Sequence, residues 1–271
     1  MAGRRVTGEL RGRRILITGG AGGLGLPMAA ALALRGADLL LTALEEDALQ
    51  RAAQHCRGPG RIETLAADLS DPAAVDEIAS AARRRLGGID ILVNNAGIGP
   101  GAIRPDFWND KIRFWEPNID YQKFAEINFL APARLAATFA PDMIAAGWGR
   151  IINVTTSLKT MFGRGSSPYG PTKAALESLT AVQAADLAGA GVSANVLIPG
   201  GPSDTPMVPA EAASDRRTLI APNAMAPVIC WLASSRSDGV TGRRFLAAQW
   251  DVTLAETIAA EQASASIAPT P

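Results

Sequence analysis

Two residues set the chemistry to be tested first. Tyr169 and Lys173 are four apart in Tyr169-Gly170-Pro171-Thr172-Lys173, at the start of a run that reads as a helix. That spacing puts both side chains on one helix face. A free phenol titrates near pH ~10 and is a poor base at neutrality. An ammonium group beside it favours the phenolate and lowers that value. Such a pair can pass a proton to or from an alcohol. A Y-x-x-x-K string arises easily by chance, so its weight depends on its company. Upstream stand the hydroxyls of Thr155, Thr156 and Ser157. His55 is the single histidine and reads as a surface residue at a helix end, which leaves no multi-histidine metal site and no Ser-His-Asp triad unless His55 itself serves. Cys56 and Cys230 lack any metal-type spacing, and no metal is expected.

The second candidate is a turn, Thr18-Gly19-Gly20-Ala21-Gly22-Gly23-Leu24-Gly25. An apolar run, Arg14 to Ile17, precedes it, and a helix former from Leu26 to Leu34 follows, with Pro27 tolerated in the first turn. Strand, glycine turn and helix together suit a dinucleotide. The backbone can approach the pyrophosphate, and the helix amides and dipole face its charge. Two spacings fit. Gly20, Gly22 and Gly25 give G-x-G-x-x-G, while Thr18, Gly19, Gly23 and Gly25 give T-G-x-x-x-G-x-G.

These residues need elements to hold them. Strands are expected at 14–17, 39–44, 62–67, 89–93, 151–154, 192–198 and 242–247. Helices are expected at 26–34, 45–54, from the Ser70-Asp71-Pro72 cap to Leu86, at 122–146 with interruptions near Pro132 and Pro141, at 169–189 and at 224–234. Residues 98–121 read as a long aromatic connection. The alternation predicts a doubly wound parallel α/β sheet of the Rossmann type in a single domain. Gly19–Gly25, Asp68, Asn94–Gly97, Thr155–Ser157 and Pro199–Thr205 all follow strands directly, so they should gather at one sheet edge. Residues 1–13 read as a flexible basic arm, 14–250 as the dinucleotide-binding catalytic domain, and 251–271 as a C-terminal tail, disordered from Glu261.

Bulk properties narrow the classes. The chain has 271 residues, 48% of them hydrophobic, enough for a sizeable core. Formal net charge is zero, which gives no reason to expect a nucleic-acid or anionic-membrane partner. No signal-like segment or apolar run of spanning length is present, so a cytoplasmic protein is expected.

In their order and intervals, the glycine turn, Asp68, Asn94-Asn95-Ala96-Gly97, Asn128, the Thr/Ser cluster, Tyr169/Lys173 and Pro199-Gly200 resemble the short-chain dehydrogenase/reductase family over roughly residues 12–246. The resemblance implies an NAD- or NADP-dependent oxidoreductase acting on a secondary alcohol or ketone. Tyr169 would be the general acid/base. Lys173 would lower its pKa and hold the nicotinamide ribose. A hydroxyl from 155–157 would position the substrate oxygen, and Asn128 would hold a water linking Lys173 to solvent. Gly19, Gly23, Leu24 and Gly25 would meet the pyrophosphate, and Asp68 and Leu69 the adenine. Asn94, Asn95, Ala96 and Gly97 would line the ribose side, while Pro199, Gly200 and Thr205 would close over the nicotinamide. In relatives the site serine most often lies thirteen residues before the tyrosine, which reaches Thr156, with Ser157 next; both are retained as candidates. The alternative is a catalytically inactive cofactor-binding sensor or scaffold of the same fold.

Four departures from the family pattern stand out. Ala43 replaces the aspartate that many NAD-preferring relatives carry, and Leu44 supplies no arginine for NADP, which leaves a weak lean to NAD. The connection from Gly97 to Asn128 is long and is expected to form a substrate-selecting lid, with Phe107, Trp108, Phe114 and Trp115 as apolar contacts and Arg104, Lys111 and Arg113 for an anionic group. The segment Pro199–Thr205 holds one extra residue. Ala247-Ala248-Gln249-Trp250-Asp251 stands where Asp-Gly-Gly is usual. Small residues on helices 122–146 and 169–189 lead to the expectation of a homo-oligomer, dimer or tetramer, as relatives form.

Overall fold

A computed structural model of the chain describes residues 8–210 and 215–268. One eight-stranded sheet runs through it in the order β3-β2-β1-β4-β5-β6-β7-β8. The strands are β1 (Arg14–Thr18), β2 (Asp38–Ala43), β3 (Ile62–Ala66), β4 (Ile91–Asn94), β5 (Gly149–Val154), β6 (Val192–Ile198), β7 (Arg243–Leu246) and β8 (Ser264–Ser266). β1 to β7 pair in parallel, and only β8 runs antiparallel, against β7. Sequence order reverses at β1, which lies between β2 and β4. In doubly wound sheets the ligand crevice opens at that switch point, beyond the carboxyl ends of the strands.

The core follows from strand alternation. Along β1, Ile15 and Ile17 face one layer with α1 (Gly25–Leu34), α2 (Glu46–His55) and α8 (Met225–Leu232). Leu16 faces the other, with α3 (Ala74–Leu86), α5 (Ala131–Ala145) and α7 (Tyr169–Asp186). β5 and β6 are buried along their whole length, their polar residues Arg150, Asn153, Ser193 and Asn195 included.

The helix expected over 122–146 consists of α4 (Tyr121–Ala125), a π turn (Glu126–Leu130) and α5. The irregularity lies upstream of the prolines. Pro132 has no N–H to return to the Asn128 carbonyl, so the turn before it widens. A short helix, α6 (Leu158–Met161), fills part of the gap before Tyr169.

Both ends of the chain depart from expectation. Residues 1–7 lie outside the described residues, but Leu10 is buried in the core, its amide donates to the Arg35 carbonyl (2.9 Å), and Glu9 pairs with Arg236. Residues 8–13 are therefore docked, not a loose arm. The segment expected to be a disordered tail forms α9 (Glu256–Gln262) and β8, with Ala259, Ala260 and Ala263 buried. Its Ala and Ser content reflects small residues packed against β7.

Candidate active site

The glycine turn is settled by where a side chain would not fit. Gly19 and Gly23 hold φ of 64° and 52°, the left-handed region that glycine adopts without strain. A Cβ on Gly25 would lie 2.0 Å from the Gly19 carbonyl oxygen. At Gly22 a Cβ would meet nothing within 4 Å, and at Gly20 it would press the Leu41 side chain at 3.1 Å and the Ile17 carbonyl at 3.3 Å, far less tightly than at Gly25. The required glycines are those of T-G-x-x-x-G-x-G. The turn is pinned from β4: the Thr18 hydroxyl accepts from the amides of Asn95 and Ala96, both at 3.0 Å, and Asn95 Nδ2 donates to the carbonyls of Thr18 and Gly19. No side chain caps α1 and its first turn carries no acid, so that end is left for an anion.

Asn94 does not join this edge. It is fully buried, and its Nδ2 donates to Asn153 Oδ1 at 2.8 Å, tying β4 to β5 beneath the cleft. The expectation that it contacts cofactor is corrected, because the strand runs one residue further than expected and turns this side chain inward. Asn95, Ala96 and Gly97 do line the cleft.

Beyond β5 the Thr156 hydroxyl stands beside the Tyr169 phenol, close enough to lower its pKa. Ser157 is occupied elsewhere: its Oγ accepts from the Thr160 amide (3.1 Å) and pairs with the Thr160 hydroxyl (3.0 Å), capping α6. Lys173 is 4% exposed and its Nζ donates to the Val154 carbonyl (3.0 Å). Burial pulls its pKa down to about 8. Burial pushes the Tyr169 phenol up, and the Thr156 hydroxyl pulls it partly back.

Asn128 sits in the π turn with its side chain already paired. Oδ1 accepts from the Ile98 amide (2.9 Å), and Nδ2 donates to the Ile98 carbonyl (3.0 Å) and to Thr172 Oγ1 (3.1 Å). Gly97 passes so close that a Cβ there would lie 3.0 Å from Asn128 Oδ1 and 3.2 Å from Lys173 Nζ.

After β6, Gly200 takes φ of 102°, and the Pro199 carbonyl accepts from the Ala248 amide (3.0 Å). The loop folds back over the cleft. Thr205 comes within 3.9 Å of a Cβ position on Gly23, and Met207 within 2.9 Å of one on Gly99. The cleft holds about 860 Å³. The fit for a dinucleotide rests on this volume and on the two close approaches in the glycine turn.

Several expected residues do not line that volume. Gly25 and Asn128 support it from behind. Leu69 is buried in the second core layer, and Asp68 stands exposed beyond β3, its carboxylate held below the usual range by the Ser70 amide and hydroxyl. In the 98–121 connection, Phe107, Trp108 and Lys111 reach the cleft, whereas Phe114 and Trp115 are each 67% exposed. Arg104 is consumed by Glu116 (2.8 Å) and Asp110 (3.0 Å), and Arg113 donates to the Lys111 carbonyl (2.7 Å).

One part of the site was not anticipated. Arg244 and Glu177, both buried, pair at 2.7 Å directly beneath Thr156. Arg244 Nη2 also donates to the Thr156 carbonyl (3.3 Å), and the Thr155 hydroxyl donates to Glu177 (3.0 Å). The available signal was an arginine pair opening the buried strand Arg243–Leu246.

Residues 13–216 match the family described as short chain dehydrogenase. The chain is 33% identical over 203 residues to 1-deoxy-11-beta-hydroxypentalenate dehydrogenase of Streptomyces exfoliatus, covering 74% of this chain and 70% of that protein. It is 29% identical over 243 residues to a 3-oxoacyl-acyl-carrier-protein reductase of Vibrio cholerae, covering 86% and 95%. Among solved structures, a short chain dehydrogenase/reductase family protein superposes with a TM-score of 0.74 at 35% identity, over 88% of this chain and 96% of that one. A metagenomic short-chain oxidoreductase in complex with NADP superposes at 0.71 with 26% identity, over 88% and 97%.

Proposed function

The chain belongs to the short-chain dehydrogenase/reductase family, whose oxidoreductases use NAD(P), and on that premise we propose that it interconverts a secondary alcohol and a ketone with Tyr169 as the proton carrier. The bound nicotinamide supplies the hydride acceptor or donor. The observation that carries the reading is the convergence of the Thr156 hydroxyl, the Tyr169 phenol and the Lys173 ammonium on one cleft wall.

In the reducing direction the Tyr169 O–H gives its proton to the carbonyl oxygen, which the Thr156 hydroxyl holds. The phenolate left behind lies in a buried setting where the Lys173 charge and the Thr156 hydroxyl stabilise it. Oxidation of an alcohol runs the same transfer backwards. Thr156 is the hydroxyl of choice because Ser157 is spent on the α6 cap. Asn128 would take the relay water on its main-chain carbonyl, since its amide is spent on Ile98 and Thr172 and Pro132 offers that carbonyl no N–H.

Tyr169→Phe should lower kcat by ~100- to 10,000-fold while cofactor dissociation constants change little. Thr156→Ala should fall steeply too, and Ser157→Ala should keep most turnover. A Tyr169→Phe enzyme that retains a tenth of its activity overturns the mechanism.

The cofactor preference we propose is a weak one for NAD. Ala43 lines the cleft, Leu44 is 63% exposed, and no Lys or Arg stands from Leu39 to Gln50 to meet a 2′-phosphate. Dissociation constants for both cofactors test this. A preference for NADP beyond about tenfold (~1.4 kcal/mol) would overturn it.

A further inference from the structure

Apart from Tyr169 and Lys173, the titratable side chains lining the cleft among the described residues are all cations: Lys111, Lys159 and Arg164. None has a carboxylate partner among those residues. The acids closest to Lys111 in sequence, Asp106, Asp110 and Glu116, hold Arg104, and the acid closest to Arg164, Glu177, holds Arg244 (2.7 Å).

The three cations share one corner. Lys111 Cβ lies 2.9 Å from a Cβ position on Gly165, the residue after Arg164, and the Lys159 carbonyl lies 2.6 Å from one on Gly163. That corner abuts the catalytic helix. A Cβ on Gly170 would sit 3.0 Å from Ser166 Cβ and 2.7 Å from the Met161 carbonyl. It stands off the lid and the 158–168 loop, not off the glycine turn where cofactor phosphates belong. Beside it the walls are apolar: Phe107, Trp108 and Met207.

We infer that the substrate is anionic, with an apolar body against Phe107, Trp108 and Met207 and a carboxylate or phosphate held by Lys111, Lys159 and Arg164. This rests on the reading of Tyr169 as the proton carrier, which places the reacting carbon next to that corner. Each cation is exposed, and the Lys111 ammonium lies 4.8 Å from the Trp108 ring centre, so each contact is weak and salt-sensitive, and the discrimination comes from three like charges on one corner.

The test compares kcat/KM for 3-oxohexanoate, its methyl ester and its coenzyme A thioester, in the parent enzyme and in the Lys111→Gln/Lys159→Gln/Arg164→Gln variant. The parent should favour the acid or the thioester over the ester by about tenfold or more, chiefly through KM, and added salt should erode that preference. The triple variant should bring the ratio to near unity. Arg57→Gln, an exposed cation beyond α2, should leave it as in the parent. A preference for the acid identifies a substrate carboxylate, and one for the thioester identifies a carrier phosphate. Equal use of the ester, or a preference that survives in the triple variant, overturns the inference while leaving the oxidoreductase reading intact. Should no ketone or alcohol turn over, it is the Tyr169 reading that fails. Calorimetry on the cofactor-loaded protein then decides the inference: hexanoate must bind at least tenfold tighter than hexanamide, and the triple variant must lose the difference, or the inference falls.

Discussion

Lys173 carries the largest electrostatic cost in the site. Its charge is almost wholly removed from water, and burial brings its pKa from 10.5 to about 8. Above pH ~10.5 the lysine is neutral in both folded and unfolded chains and costs nothing. As pH falls from there towards 8, the unfolded chain gains the proton and the folded one resists it, so the cost grows. Below about 8 it is constant, ~3 kcal/mol by the shift. Removing the ammonium also strips the Val154 carbonyl of its donor, at ~1 kcal/mol. Lys173→Met should therefore be more stable than the parent by ~2 kcal/mol at pH 7 in urea unfolding without cofactor. The difference should vanish or reverse near pH 10. A variant less stable than the parent at pH 7 would show that the site tolerates the charge better than its burial implies. The same residue shows what sequence could reveal: the pairing with Tyr169 follows from a four-residue helical spacing, whereas the cost follows from burial, which spacing does not state.

At the scale of elements, legibility tracked how local the cause was. β6 runs Val192–Ile198 as expected, because a buried parallel strand is mostly apolar, here broken only by Ser193 and Asn195. The turn glycines were visible as a cluster, but choosing between two spacings needed the left-handed φ of Gly19 and Gly23 and the open space at Gly22, which the fold of the turn sets. Thr156 and Ser157 could not be separated on paper because α6 has only four residues, too few to show a period, and it is α6 that claims Ser157. The Asn94 assignment failed through a one-residue difference in where β4 ends, since adjacent strand residues face opposite sides. The Arg244–Glu177 pair joins residues 67 positions apart on β7 and α7, and no local pattern announces a pairing across that distance. The lid residues divided likewise: Phe107 and Trp108 face the cleft while Phe114 and Trp115 face out, in a segment with no regular period to fix either.

At the scale of the molecule, parallel strands put every strand-end cluster on one edge, and that edge is where the cleft opens. From Glu261 on, Ala, Ser and Pro dominate and suggest a disordered tail, yet small residues of this stretch close the far side of the sheet. β8 pairs with β7 from Arg243 to Phe245, the Leu246 amide donates to the Ala263 carbonyl (2.8 Å), and the Ile267 amide donates to the Gly242 carbonyl (3.0 Å). Ala260 belongs to the main core, and Arg243 Nε donates to Ser264 Oγ (2.8 Å). Deleting residues 251–271 would strip these hydrogen bonds, each worth ~1 kcal/mol net, uncover the alanine contacts and leave β7 as a bare edge. The expected loss is several kcal/mol, or roughly 10 °C in Tm for a chain of this size, with association through the exposed edge. Thermal unfolding followed by circular dichroism, with light scattering on the same samples, measures both. The catalytic groups lie just past β5 and on α7, so cofactor binding at low temperature should outlast the loss of thermal stability. A truncated protein that melts with the parent and stays unassociated would show that β8 merely rests on a sheet already complete at β7.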